Sequence, residues 1–443
     1  MADAGPHRIE DRPPSSERRI VTARAARAPI VAGTIGNVVE WYDFAVYAYF
    51  ASTIGGLFFP SGIPGRSLLL SFAVFGVGFF MRPLGGLFFG HYGDTRGRRN
   101  ALAATIILMG ISTFLIGVLP IYDDIGLLAP IALVVLRLLQ GFSAGGEWAG
   151  VAAFLVEHAH PRRRGLTGSW QQVSVGAGFL AGSAVATVLT STMQPEELLG
   201  WGWRLPFLFG LVVAAVGLYL RLGIEDTPRF VALERSGQVA RAPVAEAFVH
   251  HRRQLLTVVG FTLSGTVAYY VFLVYFPTYA STVLGLPLRS ASAINTIGLG
   301  LFLVLVPLVG ALSDRIGRKP LLLAHAAGCA ALAYPIFLMM DSARSFAAIL
   351  AAQCVGIVLQ ALFSGPTPAA YAEMFPTRVR YTAISVPYNL AVAGFGGTAP
   401  FLATYLVSTT GSHLSFTLYL IAAAVVSFLV YLFLPETHRS ELR

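Results

Sequence analysis

The sequence predicts an all-α integral membrane protein of twelve transmembrane helices in two related six-helix halves, and three observations lead to that fold class. The first is composition: 55% of the 443 residues are hydrophobic and 12% charged, against roughly 25% charged in soluble domains. With a mean hydropathy of +0.68 there is too little polar surface to face water, so the solvent is lipid. The second is a series of apolar runs, such as 101–119, 255–276, 292–312 and 414–434, that reach the roughly 18 residues needed to cross a bilayer as a helix. The third is an internal repeat: Gly90-x-x-x-Asp94-x-x-Gly97-Arg98-Arg99 recurs 220 residues later as Gly310-x-x-x-Asp314-x-x-Gly317-Arg318-Lys319.

Taken in order, residues 1–28 are a polar tail rich in Arg, Pro and Ala with no apolar core, so neither a signal peptide nor a folded domain is expected there. The first-half spans are 29–52, 67–90, 101–119, 127–152, 166–190 and 203–222. A polar, charged connector, 223–254, follows an even number of crossings and so returns to the side of the N-terminus. The second-half spans are 255–280, 290–312, 320–340, 345–371, 382–408 and 413–434, with a short tail at 435–443. The halves are therefore 29–222 and 255–434. Each copy of the repeated turn follows the second helix of its half. A looser echo follows the fourth: Glu157…Pro161…Arg164 against Glu373…Pro376…Arg380.

The formal charge of +9 raises the question of nucleic acid, and its distribution answers it. Basic clusters at 18–27, 96–99, 162–164, 229–253, 315–319 and 378–380 all fall on one side of the predicted membrane. The opposite loops 122–126 and 190–200 carry no basic residue, and Arg66, Arg289 and Arg344 are isolated exceptions. That is the positive-inside pattern; both termini are expected in the cytoplasm, and no nucleic acid as partner. Cys329 and Cys354 lie inside predicted helices, so no disulfide framework is implied.

Ionisable side chains at bilayer depth are costly and need a reason. Helix one carries Glu40 and Asp43 three residues apart, with Asn37 and Tyr47 expected on the same stripe. Two desolvated carboxylates this close disfavour each other's charged form, which suits proton exchange. Arg82 in the second helix and Arg137 in the fourth could clasp a substrate carboxylate or an acidic side chain bidentately. Arg137 lies near the midplane and is the favoured ligand contact; Arg82, beside Pro83, fits a structural or gating role. Glu147, nearer the cytoplasm, is expected either to pair with Arg82 or to carry a proton. Gln171 and Gln172 on the fifth helix, Tyr269 and Tyr270 on the seventh, Gln360 on the tenth, and Tyr388 and Asn389 on the eleventh are candidates for a cavity wall. An aromatic face there suits a quaternary ammonium or a ring. Interhelical hydrogen bonding is the plainer role for any one of them. His325 reads as structural. Asp94 and Asp314 sit where the third and ninth helices begin and can complement their N-terminal dipoles. The adjacent Arg98, Arg99, Arg318 and Lys319 are expected to bridge to Glu157 and Glu373 across the inner mouth as a latch.

Several motifs in order carry a family resemblance over about residues 30–437. The paired G-x-x-x-D-x-x-G-R-[RK] turns resemble the signature of the major facilitator superfamily. Gly36-Asn37-Val38-Val39-Glu40-Trp41-Tyr42-Asp43-Phe44, Met81-Arg82-Pro83-Leu84-Gly85-Gly86, Gln140-Gly141-Phe142-Ser143-Ala144-Gly145-Gly146-Glu147-Trp148 and Trp201-Gly202-Trp203-Arg204-Leu205-Pro206-Phe207 are similar to its metabolite:proton symporters. These include carriers of proline and betaine, α-ketoglutarate, citrate and shikimate. The resemblance implies a major facilitator fold in a bacterial inner membrane and uptake of a small carboxylate-bearing metabolite or zwitterionic osmolyte with protons, by alternating access. It also implies that the paired turns latch the outward-open state. An antiporting exporter is the alternative within transport; a membrane sensor or enzyme is the alternative outside it. The expected partners are the solute, protons and lipid, acting on a monomer. The glycine-rich stretches lack the Lys-Ser or Lys-Thr of a phosphate loop, so no nucleotide, cofactor or metal is expected.

Overall fold

The computed structural model describes residues 34, 37–38, 40–63, 65–96, 98–157, 159–222, 252–375, 380–440 and 442. The tail 1–28, nearly all of the connector and Pro376 of the second echo lie outside them. Among the described residues there is no strand, and twelve long helices form the bundle. Eight are long and apolar enough to cross a membrane: α2 (Arg66–Phe89), α4 (Leu128–Glu157), α5 (Pro161–Thr192), α7 (Arg253–Val283), α8 (Leu288–Ile316), α9 (Lys319–Ala343), α10 (Phe346–Met374) and α11 (Ala383–Thr410). To these add α1, described from residue 40 to Phe58 through one turn at Phe50, α3 (Arg98–Val118), α6 (Leu205–Leu222) and α12 (Thr417–Phe433). The predicted spans find all twelve. Their ends differ: α1 runs on past residue 52 to Phe58, and α4, α5 and α10 extend by up to a turn or so beyond expectation.

Burial separates central from peripheral helices. In α7, 78% of the most apolar window is buried, against 39–50% in the other seven long spans. Every described residue of α1 from Trp41 to Ala51 is buried as well. These two helices therefore stand at the centre, while apolar side chains such as Leu128, Leu418 and Phe433 point outward from the bundle. The halves meet along two seams, α5 against α8 and α2 against α11. Close approach within the first half depends on glycine. A Cβ on Gly141 of α4 would strike the Gly78 carbonyl of α2, and one on Gly85 of α2 would strike the Phe142 carbonyl of α4.

Helix α7 is interrupted by two π-helical segments, Tyr270–Tyr275 and Tyr279–Val283, flanking Phe276–Thr278. Pro277 is the cause, since it has no N–H for the carbonyl four residues earlier. That carbonyl, Leu273, instead accepts from Tyr49 Oη of α1 at 2.9 Å, and the neighbouring Phe272 carbonyl accepts from Gln353 Nε2 of α10. The proline therefore turns two backbone carbonyls of the central helix into attachment points for its neighbours.

Candidate functional site

Helix α1 sends its polar side chains to different neighbours. Glu40 forms a buried ion pair with Arg82 of α2. Asp43, wholly buried, accepts from Thr113 Oγ1 of α3 at 2.7 Å, and a Cβ on Gly210 of α6 would stand 3.2 Å from its Oδ1. Tyr47 Oη donates to the Ser71 carbonyl of α2 at 3.1 Å. Asn37 faces α5: its Nδ2 donates to Ser174 Oγ at 2.7 Å, and its Oδ1 accepts from Trp41 Nε1 at 3.1 Å. The single expected stripe is thus split within the first half: Asn37 faces α5, Glu40 and Tyr47 face α2, and Asp43 faces α3.

A relay of side chains joins Asp43 to Arg137. Arg137 Nη1 donates to Gln140 Oε1 (2.7 Å), Gln140 Nε2 to Thr113 Oγ1 (2.6 Å), and Thr113 to Asp43 Oδ2 (2.7 Å). The Arg137 guanidinium lies over the rings of Tyr47 (4.3 Å) and Phe44 (4.8 Å), with Nε and Nη2 buried and without hydrogen-bond partners. Arg82 is likewise set among rings, 4.9 Å from Trp41 and 5.2 Å from Phe79. Low dielectric makes both cations depend on their carboxylates and ring faces.

Between the halves lies a cavity of about 30 Å³, room for a water or two. The first half contributes Trp41, Trp148, Gln172 and Val175. From the second come Thr262, Thr266, Tyr269 and Tyr270 of α7, Gln360, Phe363, Ser364 and Thr367 of α10, and Tyr388 of α11. No lining residue is charged. Of the expected wall residues, Gln172, Tyr269, Tyr270, Gln360 and Tyr388 are there. Arg82 and Arg137 are not: they sit inside the first half, and Arg82 is paired with Glu40 where Glu147 was an expected partner. Glu147 is buried at the start of the inner part of α4, just past a break at Ala144–Gly146. Gln171 turns away from the cavity, its side-chain amide buried with neither atom partnered. Asn389 donates to the Gly145 carbonyl of α4 at 2.9 Å, linking the halves.

Sequence reasoning missed Trp41 and Trp148, which stand inside the quoted motifs but read as packing in so apolar a chain. Trp148 stacks on Tyr388 of the opposite half, centroids 3.9 Å apart and planes at 15°. The hydroxyls of Tyr269 and Tyr270 are buried without partners. Among the described residues, no group of three or more His, Cys, Asp or Glu is placed to hold a metal ion.

One mouth of the bundle is charged. Asp314 accepts from the backbone N–H groups of Gly165 (2.8 Å) and Leu166 (2.9 Å) and from Arg318 Nη1 (2.8 Å). It therefore caps α5 of the other half, not α9 as expected. Helix α9 is capped by Glu436, which accepts from the N–H groups of Arg318 (2.9 Å) and Lys319 (3.0 Å). Burial pushes the Glu436 carboxyl up, but the backbone N–H groups of Arg318, Lys319, His438 and Thr437 outweigh it and hold it below the usual carboxylate range. Arg318 meets Glu373 at 3.2 Å, but both belong to the second half, so this pair does not span the mouth. Among the described residues, an ion pair that does is Arg164 with Glu373 at 3.7 Å, two positions of the looser sequence echo. Lys319 Nζ donates to the Leu432 carbonyl of α12. Glu157 is half-buried at the end of α4, and the side chains of Asp94, Arg98 and Arg99 lie outside the described residues. The repeat's Gly317 has φ +103°, which excludes other residues from that turn.

A twelve-helix membrane protein with a cavity between two seamed halves and a charged mouth is a secondary transporter, not an enzyme. The chain belongs to the major facilitator superfamily. The sequence model described as Major Facilitator Superfamily matches residues 44–397, and again 301–443. The glycine betaine/proline/ectoine/pipecolic acid transporter OusA of Dickeya dadantii is 37% identical over 427 residues, 94% of this chain and 85% of that one. The proline/betaine transporter of Escherichia coli is 36% identical over 427 residues, with the same coverage. The fold matches that of the proton:xylose symporter XylE bound to 6-bromo-6-deoxy-D-glucose, with a TM-score of 0.76 and 19% identity over 95% of this chain and 98% of that one. The partially occluded inward-open XylE from E. coli gives 0.74 and 20%, over 93% and 98%.

Proposed function

We propose that this chain is a proton-coupled symporter that takes up a small zwitterionic osmolyte by alternating access. The observation that carries the reading is the cavity: walls from both halves, and no charged residue among them. A solute of zero net charge meets such a wall without an uncompensated charge, whereas a dicarboxylate would bring two into a site with no cation. The names of the two relatives, proline and glycine betaine carriers, belong to this solute class. The Tyr269 and Tyr270 hydroxyls supply donors for a carboxylate.

Asp43 is the proposed proton carrier. Its Oδ2 accepts from Thr113, while its Oδ1 is buried with no hydrogen-bond partner and can take a proton. A proton taken at Oδ1 removes the charge that the relay presents to Arg137, so Arg137 acts as the sensor of that proton and not as the solute's ligand. The charged mouth, with exposed Arg162, Arg163 and Arg315 beside the latch, is assigned to the cytoplasm of a bacterial inner membrane, with both termini there. One chain supplies both cavity walls and both latch partners, so a monomer suffices.

The test is uptake into proteoliposomes under an inward proton gradient, with labelled proline, glycine betaine, α-ketoglutarate, citrate and shikimate. Accumulation of proline or betaine that a protonophore abolishes supports the reading. Accumulation of α-ketoglutarate or citrate alone refutes the solute class, and proton-driven efflux without uptake makes the chain an exporter.

A further inference from the structure

The cavity wall is more particular than a neutral solute requires. We propose that Trp41 and the Trp148–Tyr388 stack form the subsite for the solute's ammonium group, that it selects N-methylated over primary ammonium, and that Asn37 is a positioning residue setting the Trp41 ring. This rests on the reading of the chain as a zwitterion carrier.

Five of the lining residues are Trp or Tyr, and none is a carboxylate. Trp41 already holds the Arg82 guanidinium at 4.9 Å, a cation balanced by Glu40, so the ammonium is held chiefly by the Trp148 and Tyr388 ring faces, with the Trp41 indole closing the wall beside them. A primary ammonium also brings three N–H donors, and each one left unmet in a desolvated site costs binding. The wall carries no carboxylate, and the Thr262 and Thr367 hydroxyls are already bonded to their own helix backbone; its amide acceptors are Gln172 and Gln360, of which Gln360 Oε1 is buried without a partner while Gln360 Nε2 occupies Ser364 Oγ at 3.1 Å. N-methylation removes donors and adds apolar surface against the rings, so each methyl improves the fit. At the other end of the solute, the hydroxyls of Tyr269 and Tyr270 receive the carboxylate.

The rings are held in ways that fit this role. Trp41 Nε1 donates to Asn37 Oδ1 at 3.1 Å, and Asn37 is itself fixed to Ser174 Oγ at 2.7 Å. Asn37 does not line the cavity, so it acts on the solute only through the indole. Trp41 and Trp148 belong to the first half and Tyr388 to the second, so the subsite is complete only when the halves meet. The neighbouring bond from Asn389 to the Gly145 carbonyl marks the same meeting point. At about 30 Å³ the cavity is smaller than the solute, and Tyr388 covers Trp148. Entry of the solute exchanges that ring–ring stack for ammonium–ring contact.

The experiment is competition against labelled glycine betaine uptake in proteoliposomes by glycine, sarcosine, N,N-dimethylglycine and glycine betaine, with tert-butylacetate, which keeps the carboxylate and the shape but has carbon in place of the cationic nitrogen. The inhibition constant falls with each methyl, by about tenfold or more from glycine to glycine betaine, and tert-butylacetate competes poorly. Asn37→Ala raises the KM for glycine betaine with Vmax kept, and Trp41→Leu flattens the methyl series. Uptake retained with glycine or tert-butylacetate as effective as glycine betaine overturns the subsite alone. A KM for glycine betaine unchanged by Asn37→Ala overturns the positioning role. Uptake of neither glycine betaine nor proline overturns the zwitterion reading and the subsite with it.

Discussion

Asp314 gives the sharpest perturbation of the transport cycle, because its partners lie on both sides of the mouth. Its carboxylate accepts from the Gly165 and Leu166 N–H groups of the first half at 2.8 and 2.9 Å. Asp314→Ala removes both bonds and leaves the start of α5 uncapped. Arg318 is not stranded by the change, since it keeps Glu373 at 3.2 Å, so no unpaired buried cation adds to the cost. Two charge-assisted bonds at about 1.5 kcal/mol each come to about 3 kcal/mol lost from the closed mouth. At about 1.4 kcal/mol per factor of ten, the inward-open population should rise about a hundredfold relative to the closed one. Spin labels on Arg162→Cys and Arg315→Cys, exposed residues on α5 and α8 at that mouth, in a chain with Cys329 and Cys354 replaced, report the distance directly. The expected result is a shift of the distance distribution to a longer component in Asp314→Ala. An unchanged distribution in a folded, transport-competent variant would refute the argument that this cap holds the mouth shut.

Three further outcomes are expected. Asp43→Asn keeps the shape and the Thr113 contact but removes the proton site, so gradient-driven accumulation is lost while solute counterflow continues; loss of counterflow as well would point to a structural role. Gly141→Ala drives a Cβ into the Gly78 carbonyl and should cost about 1–3 kcal/mol, read as a lower Tm in detergent, whereas an unchanged Tm would show that α2 and α4 can part freely. The depressed Glu436 carboxyl contributes stability that is present above its unfolded pKa and is lost as pH falls through its lower folded value. The α9 cap should therefore hold at neutral pH and weaken only below about pH 4, seen as a change in the same spin-label distances that Glu436→Gln reproduces at neutral pH.

The fold was largely legible because lipid imposes a one-dimensional signal: apolar length sets the spans. The repeated turns then fixed the halves. What hydropathy could not show is where a helix breaks its own regularity. The π segments of α7 follow from Pro277, yet their use, freeing the Leu273 and Phe272 carbonyls for Tyr49 and Gln353, depends on contacts between distant helices. The site was half legible for a related reason. A polar residue in an apolar run announces itself, which is how Gln172, Tyr269, Tyr270, Gln360 and Tyr388 were found. Rotation about the helix axis is not announced, so Gln171 beside Gln172, and Asn37 beside the acidic residues of α1, were grouped with neighbours they do not face. Arg82 and Arg137 declared their depth but not their partners. Trp41 and Trp148 carried no such signal, since aromatic residues are the ordinary filling of a membrane bundle.

A net-neutral zwitterion taken into the charge-free cavity crosses together with a proton. Each turnover should then move one positive charge inward. Charge displacement on solid-supported proteoliposomes, with no imposed membrane potential, measures this directly. Addition of glycine betaine or proline should give an inward positive current that disappears in Asp43→Asn, and α-ketoglutarate should give none. Uptake of glycine betaine without current, or a current with α-ketoglutarate alone, would contradict proton-coupled zwitterion symport.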